Sequence, residues 1–240
     1  MSEIRAVIFD CYTTLIDIKT NERKEEVFGY LSLYLQYYGA SISAEGLRNA
    51  LDLEKQRYLR AKDERYPEVD LEIVFRNVLE NEGLGNPFLA GSCCKLFRLL
   101  SRERFELFPD SLPVLSELRK SGYSLAIVSD AQKVFCLEEG NMLGLNQFFD
   151  CIVMSTQFGF TKPDPRLFAV ANTLLGVTPQ QSVYVGNDME KDVKGAKQAG
   201  MRAILLDRDG KESKKATEVE PDFYAKDLWE AWQWIRSNEA

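Results

Sequence analysis

The sequence predicts an α/β fold: a Rossmann-like parallel sheet with helices on both faces, and an all-helical block inserted into it. Three observations carry this. The chain opens on a short apolar run, Ile4-Arg5-Ala6-Val7-Ile8-Phe9. A long stretch of helical periodicity follows. From Phe108 onward, short apolar strands alternate with helices. Apolar strands separated by helices imply a parallel sheet covered on both sides. The helical block, from about Asp17 to Phe105, then lies between the first and second strands. Residues 1–16 and 106–240 form the core, and 17–105 a cap.

Within the block, Val27, Tyr30, Leu31, Tyr34, Leu35 and Tyr38 follow the rhythm of an amphipathic helix between Asn21 and Ala40. Leu71, Val74, Phe75, Val78 and Leu79 repeat it before the Gly83-Leu84-Gly85-Asn86-Pro87 break, and Cys93, Phe97 and Leu100 mark another helix. The tyrosines at 30, 34, 37 and 38 are expected to pack within the cap. Pro109 to Lys120 predicts a helix stopped by Ser121-Gly122, then a strand from Ser124 to Val128. A strand at Cys151-Ile152-Val153-Met154, a helix from Pro165 to Leu175 and a strand at Val183-Tyr184-Val185 continue the alternation. A helix from about Glu190 to Ala199, capped by Gly200, and the strand Ala203-Ile204-Leu205-Leu206 complete it. Arg208 to Lys215 is expected to be a solvated loop, and Leu228 to Ile235 the packing face of a terminal helix.

Composition narrows the chemistry. With 240 residues the chain holds one sizeable core, or a core and a smaller unit. The net charge of −7, with no basic block, argues against a nucleic-acid partner. No apolar run approaches the ~20 residues of a membrane helix, and the start Met1-Ser2-Glu3 has no signal-peptide pattern, so the expected location is cytoplasmic. Five cysteines without a C-x-x-C pair suggest free thiols in a reducing compartment. Histidine is absent, which removes Ser-His-Asp and Cys-His catalysis and histidine-bound metals together. Carboxylates, hydroxyls, lysine, backbone amides and a hard cation on oxygen ligands remain.

Asp10 closes the first strand and opens Asp10-Cys11-Tyr12-Thr13-Thr14-Leu15. In open α/β sheets the reactive crevice lies beyond the carboxyl ends of the strands. A carboxylate there, with the Thr14 hydroxyl close behind, can attack phosphorus or carbon; taken alone, it reads first as a turn-initiating residue. The following strand ends add Ser129-Asp130 entering a helix, a setting that binds anions, and Thr161-Lys162-Pro163-Asp164-Pro165, with a lysine just before a helix. Gly186-Asn187-Asp188-Met189-Glu190-Lys191-Asp192 supplies two more carboxylates, which with Asp10 could hold Mg²⁺. Each has a plain structural reading: Ser129 as a helix cap, Lys162 as a solvated charge, Asp188 and Asp192 as partners of a helix dipole. Their recurrence at successive strand ends favours a site.

These segments resemble the motifs of the haloacid dehalogenase superfamily over essentially the whole chain. The first motif matches Phe9-Asp10-Cys11-Tyr12-Thr13-Thr14-Leu15, the second Ile127-Val128-Ser129-Asp130, the third Lys162-Pro163-Asp164-Pro165 and the fourth Gly186-Asn187-Asp188 through Asp192. The insertion resembles the family's helical cap, which closes over the site and selects substrates. The resemblance implies that Asp10 is the nucleophile and a metal ligand, with the Tyr12 carbonyl also on Mg²⁺. Thr14 and Ser129 would bind the transferred group, with Asp130 beside them. Lys162 would offset charge on Asp10 and that group. Asp192 would orient Lys162 or a metal-bound water, and either Asn187 or Asp188 would complete the metal site.

The departures pull in two directions. Phosphatases of the family usually carry a second aspartate where this chain has Tyr12, to protonate the leaving alcohol. Members that act on 2-haloacids carry tyrosine there, because halide leaves without a proton. Yet those dehalogenases typically have Ser-Asn where this chain has Ser129-Asp130, tyrosine where it has Phe168, and no acidic residue where it has Asp188. Their substrate-binding arginine is not evident, Arg57 and Arg60 lying in a cap helix of uncertain register. The balance favours a Mg²⁺-dependent phosphatase of a small phosphorylated metabolite. A metal-independent 2-haloacid dehalogenase is the alternative, and a non-catalytic binding protein on the same scaffold a minor one.

Overall fold

The computed structural model describes residues 3–212 and 219–238. Strand β1 (Ala6–Phe9) is buried along its whole length, as a strand covered by helices on both faces must be. Strand β2 (Ile16–Thr20) leads into four helices: α1 (Glu25–Tyr37), α2 (Ala44–Arg60), α3 (Leu71–Asn81) and α4 (Pro87–Ser101). The side chains of Ser43, Asp70 and Asn86 accept backbone N–H bonds at the starts of α2, α3 and α4, which fixes where each begins. Strand β3 (Arg102–Leu107) then returns antiparallel to β2.

The remainder alternates: α5 (Ser111–Lys120), β4 (Ser124–Ser129), α6 (Lys133–Met142), β5 (Cys151–Met154), α7 (Pro165–Leu175), β6 (Ser182–Gly186), α8 (Lys194–Gln198), β7 (Arg202–Leu206), β8 (Phe223–Ala225) and α9 (Leu228–Ser237). The sheet order is β5-β4-β1-β6-β7-β8, every neighbouring pair parallel. Strand β1 is the switch point, with the chain continuing to β4 on one side and to β6 on the other. Phe9 lies level with Ile127 and Val185, so the ends of β1, β4 and β6 open onto one edge. That edge is where ligands of such sheets bind.

Two separate apolar layers cover the sheet, one including Val7, Phe9, Ile127 and Trp232, the other Ile8, Val128, Phe168 and Tyr184. The cap has a core of its own around Val27, Leu31, Leu47, Phe75 and Phe97.

Four details differ from the sequence expectation. The helical insertion is bounded by the β2/β3 ribbon, so the boundaries at 16/17 and 105/106 fall inside paired strands. Ile18 and Phe105 pack on the main core while Asp17 and Arg104 pair at 3.0 Å; the charged alternate residues hid a period of two. Of the tyrosines expected to pack in the cap, only Tyr34 lies against its core, and Tyr30, Tyr37 and Tyr38 are exposed. Arg208 is not solvated: its guanidinium binds both Asp110 oxygens at 3.0 and 2.9 Å and the Thr14 carbonyl at 3.2 Å. Residues 213–215 of that expected loop lie outside the described residues. The helix expected from Glu190 begins instead with a π turn at Met189–Val193, in which the Val193 N–H donates to the Asp188 carbonyl. No helix among the described residues is long and apolar enough to cross a membrane.

Candidate active site

Asp10 follows the last residue of β1 and is 6% exposed. Its Oδ1 accepts from Lys162 Nζ at 2.7 Å and from Ser129 Oγ at 3.2 Å, and Thr14 Oγ1 lies 3.2 Å from its Oδ2. Lys162 is 4% exposed and also donates to Asp192 Oδ1 at 2.5 Å and to the Tyr184 hydroxyl at 3.1 Å. Burial alone would lower the Lys162 pKa, but Asp10 and Asp192 beside it prevail and hold its ammonium well above the ordinary lysine range. Asp192, sealed from water, is pushed up to about 6 against the pull of Lys162. Asp10 and Asp192 on either side of the buried ammonium keep Lys162 protonated.

The loop geometry explains the residue types. Asp192 Oδ2 accepts the N–H groups of Asn187 and Asp188, each at 2.9 Å. Gly186 at the end of β6 has to be glycine, because a Cβ there would lie 2.5 Å from Asp192 Cγ. After Asp10, Thr13 takes a left-handed backbone with φ 66°, and its N–H donates to the Ile16 carbonyl, folding the loop back on itself. Strained backbone of this kind is often kept at functional sites.

The structure places Asp10, Thr14, Ser129, Lys162 and Asp192 together, as the motifs imply. It distinguishes the two residues left open in the fourth motif. Asn187 Oδ1 lies 2.8 Å from Thr13 Oγ1 and 3.0 Å from Thr14 Oγ1. Asp188 Oδ1 instead accepts the N–H groups of Glu190 and Lys191, so its carboxylate caps the following turn. Thr13 Oγ1 also donates to the Tyr12 carbonyl at 2.5 Å. Oxygens of Asp10, Tyr12 and Asn187 are thus linked through two hydroxyls. Among the described residues no three His, Cys, Asp or Glu side chains group as a ligand set. A carboxylate, a carbonyl and an amide oxygen are nevertheless the hard donors that Mg²⁺ accepts while keeping several waters. Asp130 stands one step back: its Oδ1 accepts from the Lys162 backbone N–H at 2.9 Å and its Oδ2 from Lys191 Nζ at 3.1 Å.

Sequence reasoning missed four participants. Tyr184 was legible only as a core strand residue, yet its hydroxyl donates to the Val128 carbonyl at 2.8 Å and supports Lys162; a tyrosine on a buried strand needs such a partner. Lys191 pairs with Asp130. Arg98 of α4 and Glu139 of α6 form a buried bidentate pair at 2.8 and 2.9 Å, to which the Tyr12 hydroxyl donates at 2.6 Å. The Arg98 guanidinium sits 4.9 Å above the Tyr12 ring. Burial pushes the Tyr12 phenol far above its ordinary pKa.

The cap is fastened elsewhere too. Thr161 N–H donates to the Tyr66 carbonyl at 2.8 Å and Glu68 N–H to the Gly159 carbonyl at 3.0 Å. Gln132 spans the loop before α3, accepting from Leu71 N–H and donating to the Val69 carbonyl. Glu68 also meets Ser155 Oγ, and Glu64 pairs with Arg166 at 2.6 Å.

Asp10 just past β1, Lys162 held between it and Asp192, and an inserted helical cap make up the arrangement that the motifs of the haloacid dehalogenase type imply. The profile of the haloacid dehalogenase-like hydrolases matches residues 7–206, and the chain belongs to that family. It is 36% identical over 159 residues to a phosphoserine phosphatase of Thermus thermophilus, covering 66% of this chain and 62% of that protein. It is 39% identical over 101 residues to a glyceraldehyde 3-phosphate phosphatase of Methanopyrus kandleri, covering 42% and 43%. The chain thus spans less than two thirds of the length of these curated relatives. Among solved structures, a 2-haloacid dehalogenase from Pseudomonas syringae pv. Tomato DC3000 superposes with a TM-score of 0.77 at 25% identity, over 99% of this chain and 100% of that one. A HAD phosphatase from Thermococcus onnurineus shares the fold with a TM-score of 0.65 at 23% identity, over 99% and 100%.

Proposed function

We propose that the protein is a Mg²⁺-dependent phosphohydrolase that uses Asp10 as its nucleophile on a small phosphorylated metabolite. The observation that carries this is the donor set on Asp10: Lys162, Ser129 and Thr14 converge on its two oxygens and would donate equally to the oxygens of a phosphoryl group bound there. The similarity to named phosphatases supports the same reading. Asp10 attacks phosphorus in line, the Lys162 ammonium and the two hydroxyls stabilise the equatorial oxygens, and water then hydrolyses the aspartyl phosphate. Mg²⁺, held by Asp10, the Tyr12 carbonyl and Asn187, would neutralise phosphoryl charge.

Dehalogenation of a 2-haloacid is the second reading, favoured by the committed Tyr12 hydroxyl and by the whole-chain likeness to the P. syringae enzyme. Against it, Arg57 and Arg60 are exposed on α2 and Arg98 is taken by Glu139, so none of the three is offered to a haloacid carboxylate. A purely binding role leaves the intact Asp10-Lys162-Asp192 cluster unexplained.

The test is parallel turnover of 4-nitrophenyl phosphate and 2-chloropropionate, each with Mg²⁺ and with EDTA. Phosphate release that EDTA abolishes is the expected result; chloride release unaffected by EDTA replaces the proposal with the second reading. Asp10→Asn is expected to reduce turnover to background with an unchanged circular dichroism spectrum. A folded Asp10→Asn protein with wild-type rates removes the covalent step.

A further inference from the structure

Tyr12 stands two residues past the nucleophile, and its hydroxyl proton is already committed to Glu139 Oε2 at 2.6 Å. Glu139 is buried, and both of its oxygens accept from the Arg98 guanidinium. The Tyr12 ring packs against the buried Ala131, Cys136 and Met154, with the Arg98 guanidinium 4.9 Å from its centre. The carboxyl groups of the neighbouring motif loops are already engaged as acceptors. Asp192 accepts from Lys162 and from two backbone N–H groups, Asp130 accepts from the Lys162 backbone and from Lys191, and Asp188 caps a turn. The chain has no histidine to take the part.

From this we propose that the site acts on phosphoryl compounds whose leaving group departs as a stable anion, such as an acyl phosphate or a phosphoanhydride, and is poor on alkyl phosphates. The inference rests on the phosphohydrolase reading and narrows it. With an acyl phosphate, an Asp10 oxygen forms a bond to phosphorus while the bond from phosphorus to the acyl oxygen breaks. Its electron pair leaves on the carboxylate, so no proton is required. One acyl phosphate is exchanged for another. Water then adds to phosphorus, the bond to Asp10 breaks and returns its electron pair to the carboxylate, and the proton lost by water is carried off by the phosphate formed and by solvent. An alkyl phosphate would have to expel an alkoxide, and proton donation to such a group is typically worth 10²–10⁴ in rate.

The experiment is a leaving-group series on the unmodified protein with Mg²⁺: phosphate release, above the spontaneous rate, from acetyl phosphate, pyrophosphate, 4-nitrophenyl phosphate, glycerol 3-phosphate and phosphoserine. kcat/KM for the best acidic leaving group is expected to exceed that for the alkyl phosphates by about 100-fold or more. Acetyl phosphate against pyrophosphate separates a carboxylate from a phosphate leaving group. Tyr12→Asp, where it folds, is expected to narrow the gap by raising the alkyl rates. Comparable wild-type rates on glycerol 3-phosphate and acetyl phosphate overturn the inference while leaving the phosphohydrolase reading intact. Release from none of the five overturns that reading itself.

Discussion

The cluster at Asp10 and the seam between cap and core use the same device, the buried or half-buried ion pair, to opposite ends. Around Lys162 every partner is delivered by a core strand or the loop just after it: Asp10 after β1, Asp130 after β4, Tyr184 in β6 and Asp192 in the turn beyond β6. Nothing from the cap takes part in those contacts. At the seam, pairs join units that fold around separate apolar cores: Arg98 to Glu139, Glu64 to Arg166, Lys133 to Asp70 and Lys95 to Glu138. Several of these are half exposed, where a pair contributes about 0–1 kcal/mol. The contrast shows that the geometry around Asp10 is set by the sheet, while the cap is held by one buried pair, Arg98–Glu139, and by half-exposed pairs that exchange more readily with water.

That contrast can be broken. Lys162→Ala leaves two buried aspartates uncompensated and is expected to abolish turnover and cost about 3–5 kcal/mol of stability, read from denaturant unfolding. Survival of activity would mean the cluster is not the engine. Arg98→Ala sits on the other side of the comparison. It is expected to cost about 1.5–3 kcal/mol, the value of hydrogen bonds to a charged group, and to speed proteolysis within residues 21–101 while the core resists. Uniform loss of resistance across both units would show that cap and core are one cooperative body.

The smallest expected effect concerns Glu68. Burial raises its carboxyl pKa, opposed by the Ser155 hydroxyl, the Val69 N–H and Lys191 and reinforced by Asp130. A carboxyl whose folded pKa is raised binds its proton more readily when folded. Its contribution is therefore fully present below the ordinary glutamate value and is lost as pH rises through the raised one. Moving from neutral to mildly acidic buffer is expected to shift the unfolding midpoint of the wild type upward relative to Glu68→Gln. Parallel pH dependence in the two proteins would remove Glu68 from the seam's energetics.

Much of the site was legible because its residues sit at fixed offsets from strand ends. Asp10 and Ser129 follow or end an apolar strand, Lys162 comes just before α7 and Asp192 lies in the turn beyond β6, and a parallel sheet brings such loops together. The choice between Asn187 and Asp188 was not legible, since it depends on which side chain the turn turns inward. Asp188 is drawn off by the N–H groups of Glu190 and Lys191, an Asx-type cap that a one-dimensional reading cannot rank against a metal site. The cap's helices announced themselves by periodicity, but their contacts with the core did not. Arg98 and Glu139 are far apart in sequence and look like surface charges on two amphipathic helices. Ribbon β2/β3 was missed because its short strands carry charged residues, Lys19, Arg102 and Arg104 among them, where an apolar run would mark a strand.

The bonds from Thr161 to Tyr66 and from Glu68 to Gly159 have a practical corollary for anyone swapping caps between relatives. The segment before α3 is a backbone partner of the stretch that leads straight into Lys162. A graft cut only at residues 16 and 106 would therefore import a foreign neighbour for the Lys162 ammonium, and a chimera that keeps the site's geometry has to match positions 66–68 to 159–161 as a single transplanted unit.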